Sequence, residues 1–220
     1  MRGPKGPRRG PLLNELNAIQ DGAILIRDGM IAEVGPTRRL ENLADARRAE
    51  IIEASGQVVM PGFVDSHTHL VLPAATPDFD RAARLVRSST GQRIEARART
   101  YVEAMARHGT TTVEVKTGCG PDESAESKLL RVVSALTGDP LDLVSTFLCR
   151  LPPFEAAEVA AWVTGELLPK VHRRKTAQFA DLECSADASL VPVYLKRLGR
   201  EVPIHRRQMA LLTAAMKQRL

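Results

Sequence analysis

From residue 58 to residue 205 short apolar or β-branched runs alternate with longer amphipathic stretches, and this alternation restricts the fold more than any other feature of the chain. Met60–Asp65 leads as a strand toward His67 and His69. Ile94, Tyr101, Val102 and Met105 recur at helical spacing over 93–108, and Gly109 suits the left-handed end of that helix. Thr110–Val115 reads as a strand, and Asp122, Glu123 or Ser124 can cap a helix bearing Leu129, Leu130, Val133 and Leu136. Leu143–Leu148 is a strand; Val159, Trp162, Val163 and Leu167 mark a helix that ends before Pro169. Phe179–Cys184 is a strand, Leu190–Leu198 a poorer helix interrupted by Pro192, and Val202–His205 a last strand before a short helix to Leu220. Strand, helix, strand at such spacing argues an α/β fold with a parallel sheet and crossover helices. A closed (β/α)8 barrel needs eight strands. About five are legible, so the sheet is either open and five-stranded or an incomplete TIM-type barrel.

A small antiparallel β unit precedes it. Ala23–Ile26 and Met30–Val34 flank Arg27-Asp28-Gly29, and Asp-Gly between apolar runs signals a hairpin. Thr37–Arg48 is polar and helix-compatible, while Ile51–Ala54 and Gln57–Met60 read as further strands around Ser55-Gly56. The expected plan is a flexible basic tail at 1–17, the β unit at 18–58 and the partial barrel at 59–220. The formal net charge is +5, but Arg2, Lys5, Arg8 and Arg9 supply four of those charges within the first ten residues. The rest of the chain is therefore close to neutral. With aromatics at 4% and none interleaved with the basic run, no nucleic-acid surface is expected. No apolar run reaches the roughly 18–20 residues that span a bilayer, so no membrane partner is expected either. Cys119, Cys149 and Cys184 lie far apart without a CxxC, the usage of reduced thiols in a cytoplasmic protein.

His67-Thr68-His69 is the sharpest chemical signal. Side chains alternate along a strand, so Phe63, Asp65, His67 and His69 are expected on one face, with both imidazoles at the carboxyl end where α/β sites are built. Two such imidazoles suit a tetrahedral divalent metal; the plainer alternative is two exposed polar residues in a loop. Asp65 either orients a metal-bound histidine or bonds backbone at the strand end. Lys116, ending the next strand, either contacts substrate or snorkels at a sheet edge. Glu114 shares its face and either pairs with it or serves as a proton shuttle. Cys119 lies in a Gly-rich loop near the same end. His108 suits the last turn of its helix, and His172 sits in the charge run Lys170–Lys175.

The segment VMPGFVDSHTHL resembles the first-strand signature of the amidohydrolase superfamily, QDGAILIRDGMIAEVG resembles the β-sandwich segment of the same enzymes, and HGTTTVEVKTGCGPD resembles the segment GTTTVEVKSGYG of the imidazolonepropionase group. The resemblance implies a metal-dependent hydrolase of a C–N bond in a cyclic amide or related small molecule, with metal-activated water as the nucleophile. It implies His67, His69 and His205 as ligands of zinc, or of divalent iron or manganese, and a TIM barrel around them. It places Gln208 at the proton-shuttle position, for which Glu114 beside Lys116 is the surrogate candidate, and Lys116, Cys119 and Arg150 against the substrate. Four positions depart from the pattern. His205-Arg206-Arg207-Gln208 stands for His-Ala-Asp-Glu, Cys119 for a tyrosine, Cys149-Arg150 for a histidine after the third strand, and Pro73-Ala74-Ala75 for Gly-Asp-Arg. The competing expectation is a catalytically incompetent truncated or split-gene fragment. Such a fragment would act only with a complementing chain or as a homo-oligomer.

Overall fold

A computed structural model describes residues 10–70, 79–118, 122–136, 138, 140–151 and 156–184. The chain divides into two units, Met1–Val59 and Met60–Leu220.

In the first unit β1 (Gly22–Arg27) pairs antiparallel with β2 (Met30–Pro36). Asp28 and Gly29 join them, both at positive φ (51° and 73°), the geometry of a tight hairpin turn whose twist matches the strands. The short helix α1 (Thr37–Leu40) follows, and the Thr37 N–H and hydroxyl both donate to the carbonyl of Asp21. Leu25 and Leu40 are the buried apolar side chains of this unit among the described residues. The strands expected at Ile51–Ala54 and Gln57–Met60 do not form. Ile51, Ile52, Val58 and Val59 are exposed. Their β-branched pattern supplies propensity, but no partner strand among the described residues gives it a ladder to join.

The second unit is a four-stranded parallel sheet in the order β3 (Phe63–Thr68), β4 (Thr110–Lys116), β5 (Asp142–Leu151), β6 (Phe179–Cys184). Helices α2 (Phe79–Ser88) and α3 (Gly91–Arg107) connect β3 to β4. Helix α4 (Glu123–Leu136) connects β4 to β5, and α5 (Ala156–Trp162) and α6 (Leu168–Arg174) lie between β5 and β6. Helix α2 had no counterpart in the sequence reading; it buries Ala82, Ala83 and Val86. Pro169 does not end the helix before it. A π-helical segment, Val163–Leu167, runs straight into α6, with Pro169 in the first turn of α6.

The two sheet faces differ in chemistry. Val113 and Val115 of β4 and Leu143 of β5 pack with buried residues of α3 and α4. Phe147 and Cys149 of β5 pack with α5, α6 and the flanking segment, joined by Ala180 and Leu182 of β6. Alternation turns Glu114, Lys116, Thr146 and Asp181 to the opposite face. Sequential strand order with all helices on one face is the winding of a barrel, not of a doubly wound sheet, whose order reverses and whose helices cover both faces. The architecture is thus that of an incomplete TIM-type barrel preceded by a small antiparallel sheet. The expected helix at 190–198 and fifth strand at 202–205 lie outside the described residues.

One close approach fixes β3 on β4. A Cβ on Gly62 would stand 2.1 Å from Thr111 Cγ2 and 2.8 Å from Thr111 Cβ, so only glycine lets the backbones meet there.

Candidate metal centre

Strand β3 delivers the histidine pair to its carboxyl end. Its pairing with β4 shifts register between Asp65 and Thr68, where Asp65 lies opposite Val113 and Thr68 opposite Val115. Three steps on one strand against two on the other make a bulge, and unbroken alternation from Phe63 to His69 does not hold. The carboxylate of Asp65 accepts the backbone N–H of His67 (3.0 Å), which is the backbone-bonding alternative for this residue.

The two imidazoles meet edge to face, ring centroids 5.2 Å apart, with Nε2 of His67 3.3 Å from Nε2 of His69. His69 Nδ1–H donates to the carbonyl of Lys116 (3.0 Å). A carbonyl only accepts, so in the neutral ring Nε2 of His69 carries the lone pair. Burial is the largest influence on His69 and lowers its pKa; His67 and Lys116 push the same way, and the carbonyl bonds only partly oppose them. The ring is thereby kept in the neutral form a metal requires.

The geometry passes a simple fit test. Two nitrogens at ~2.0–2.1 Å from a tetrahedral cation stand roughly 3.3–3.4 Å apart, and the observed separation is 3.3 Å. His205, the third expected ligand, lies outside the described residues. Among the described residues no group of three or more His, Cys, Asp or Glu side chains is placed to hold a metal.

Beside the pair sits an ionic cluster drawn from three strands. Lys116 Nζ donates to Glu114 Oε1 (2.6 Å) and Asp181 Oδ2 (2.9 Å), and the Thr146 hydroxyl donates to the same Glu114 oxygen (2.7 Å). The Lys116 side chain is only 7% exposed. Burial by itself would lower its pKa, but the bonds and charges of Glu114 and Asp181 outweigh that and raise it. Lys116 is thus a firmly held cation whose main-chain carbonyl grips His69. Glu114 stands in the pairing role. Arg150 Nε donates to Glu183 Oε2 (3.0 Å) near the ends of β5 and β6. Cys119 and Gln208 lie outside the described residues. His108 Nδ1–H donates to the carbonyl of Ala104 at the end of α3, and His172 is exposed in the last turn of α6.

Two residues of this region escaped the sequence reading. Asp181 is separated from Lys116 by 65 positions, and nothing local announces their contact. Glu126 is 1% exposed and accepts the N–H of Gly118 (3.2 Å), anchoring the turn that leaves β4. Its signal was present: with Leu129, Leu130 and Val133 it completes the i, i+3, i+4, i+7 stripe that buries α4. A carboxylate on such a stripe must have a partner inside.

The amidohydrolase family model matches residues 58–119, the segment holding β3, both histidines and Lys116. Over that segment the chain is similar to the amidohydrolase family. It is 33% identical over 210 residues to the imidazolonepropionase of Solibacter usitatus, covering 84% of this chain and 50% of that protein. It is 34% identical to that of Brevibacillus brevis, over 83% of this chain and 50% of the relative, and 28% identical to that of Clostridium tetani, over 94% and 57%. The chain thus spans about half the length of the curated relatives it matches. Among the described residues, no helix is long and apolar enough to cross a membrane.

Proposed function

We propose that the chain carries the metal-binding half-site of a hydrolase that opens a C–N bond in a cyclic amide, with His67 and His69 as two ligands and His205 as the third. The 3.3 Å approach of the two Nε2 atoms carries this reading, because it is the bite a tetrahedral cation needs. The family match over 58–119 and the likeness to imidazolonepropionases support the reaction class. A divalent cation held there, zinc or alternatively iron or manganese, supplies Lewis acidity and lowers the pKa of water. The chain's own groups hold that chemistry in place. The Lys116 carbonyl keeps the His69 proton on Nδ1, and Glu114 and Asp181 keep Lys116 charged and fixed. Arg150, at the same end of the sheet, and Cys119 are the substrate-contact candidates. Glu114, tied to Lys116 and Thr146, is less free to shuttle protons than to hold the cation beside it. Gln208 has no ionisable group for that task.

A second reading has its own observation. Phe63 and Val64 of the edge strand β3 are 54% and 68% exposed, the condition of strand residues awaiting a neighbour. On this reading catalysis needs further chain, from a partner or a second copy, to cover β3. Hydrolysis of a cyclic imide or imidazolone by the purified 220-residue chain, with and without added Zn2+, separates the two. Metal-dependent turnover that vanishes in His67→Ala/His69→Ala supports the hydrolase acting alone. Metal binding without turnover supports the half-site that needs a complement, and failure to bind metal removes both.

A further inference from the structure

We propose that the cleft between α4 and α6 binds a phosphorylated small molecule, independently of the histidine site. The two helices cover the sheet face opposite the one that carries Glu114, Lys116 and Asp181, so this cleft does not belong to the metal centre. It is open to solvent, measures about 340 Å3 and is lined by Ser127, Arg131, Lys170, Val171, Arg174 and Thr176, with Arg131 and Arg174 exposed. Ser127 and Arg131 are four residues apart on α4, and Lys170 and Arg174 are four apart on α6. Each pair therefore forms one stripe, and the stripes face a common space. Among the described residues three cations and two hydroxyl-bearing residues line it, and no carboxylate does.

The cations are not equivalent. Lys170 Nζ donates to both carboxylate oxygens of Glu123 (3.0 and 2.8 Å). Arg131 and Arg174 have no carboxylate within 4.0 Å among the described residues. Arg131 donates its Nε–H to the carbonyl of Ser127 (3.1 Å), which orients the guanidinium and leaves its terminal nitrogens as donors. Two guanidiniums beside hydroxyls form the donor set that planar, forked recognition of a phosphate uses. The carboxyl end of α6, which by itself repels anions, is partly neutralised here. The Lys175 and Thr176 N–H groups donate to the carbonyls of His172 and Val171. The volume exceeds that of a bare oxyanion and falls at the lower end of the roughly 300–1,000 Å3 of small-molecule sites.

Calorimetric titration of the full 220-residue chain tests this, with 1,10-phenanthroline present so that no metal at the histidine pair contributes. Inorganic phosphate and ribose 5-phosphate should bind saturably at one site, the sugar phosphate more tightly. Ribose, and chloride at matched ionic strength, should not bind. Arg131→Gln/Arg174→Gln should weaken phosphate binding at least tenfold with unchanged circular dichroism, and Lys175→Gln, outside the cleft, should leave it unaltered. Should the glutamine pair unfold, Arg131→Lys/Arg174→Lys keeps the charge and loses the fork, and a several-fold weakening is expected. A phosphate response equal to that of chloride, or either double variant binding like the parent, overturns the proposal.

Discussion

Lys116 connects the two kinds of chemistry on the inner sheet face. Its ammonium is held by Glu114 and Asp181 while its carbonyl holds His69. Because its pKa is raised, the stabilisation from this cluster is fully present at neutral pH and is lost only as pH rises through the raised value. Lys116→Met leaves two carboxylates facing each other without a counter-charge. They are 22% and 29% exposed, so we expect a cost of about 2–3 kcal/mol, below the ~3–5 kcal/mol of a fully buried pair. Denaturant unfolding measures it, and Asp181→Asn added to Lys116→Met should restore part of the loss. Asp122 gives the opposite pH signature. Burial would raise its pKa, but the Ala125 N–H it caps (2.9 Å) and the Arg87 guanidinium lower it overall. Its stabilisation is therefore present above the ordinary aspartate value and disappears as pH falls through the lowered one. Asp122→Ala should cost ~1 kcal/mol at pH 7 as a lost helix cap. It should also flatten the acid limb of a stability-versus-pH curve followed from pH 7 down to well below the ordinary aspartate value.

At the scale of elements, what the sequence made legible was what local pattern controls. The hairpin turn at Asp28-Gly29 follows from two residues that tolerate positive φ, and α3 stops before Gly109 for the same reason. Strands β4 and β6 are legible because β-branched or alternating residues fill them between breakers. His67 and His69 stand out as a local motif, but the bulge between Asp65 and Thr68 breaks the alternation expected to align them, and it has no signal in the sequence. Failures arose where the deciding partner is distant or absent. Ile51, Ile52, Val58 and Val59 have strand composition and no strand to pair with among the described residues. Pro169 looked like a helix end because the π-helical turn before it has no sequence signature. The Lys116–Asp181 contact depends on the β4-β5-β6 order, which the alternation implies only once the barrel winding is accepted. The Gly62 contact belongs to this scale as well. Gly62→Ala forces its methyl into Thr111, and because Thr111 Cβ itself is 2.8 Å away no rotamer relieves it. We expect a loss of ~1–3 kcal/mol in unfolding measurements. Thr111→Gly should recover more of it than Thr111→Ala.

The whole molecule presents an α/β sheet wound as in a barrel, with a polar inner face, a helix-covered outer face and two open edges, β3 and β6, among the described residues. The site candidates cluster at the carboxyl ends of the strands: His69 after β3, Lys116 at the end of β4, Arg150 near the end of β5. This is the arrangement that lets many barrels change chemistry through loops while keeping the frame. Relatives about twice as long match the chain across most of its length. The central claim is that His67 and His69 grip one divalent cation. Its most direct test is a zinc titration of the metal-stripped full chain against a chromophoric chelator, in parallel with His67→Ala/His69→Ala. One zinc per chain, taken up by the parent and not retained by the double variant, is the expected result. Equal uptake by the two proteins would contradict the claim.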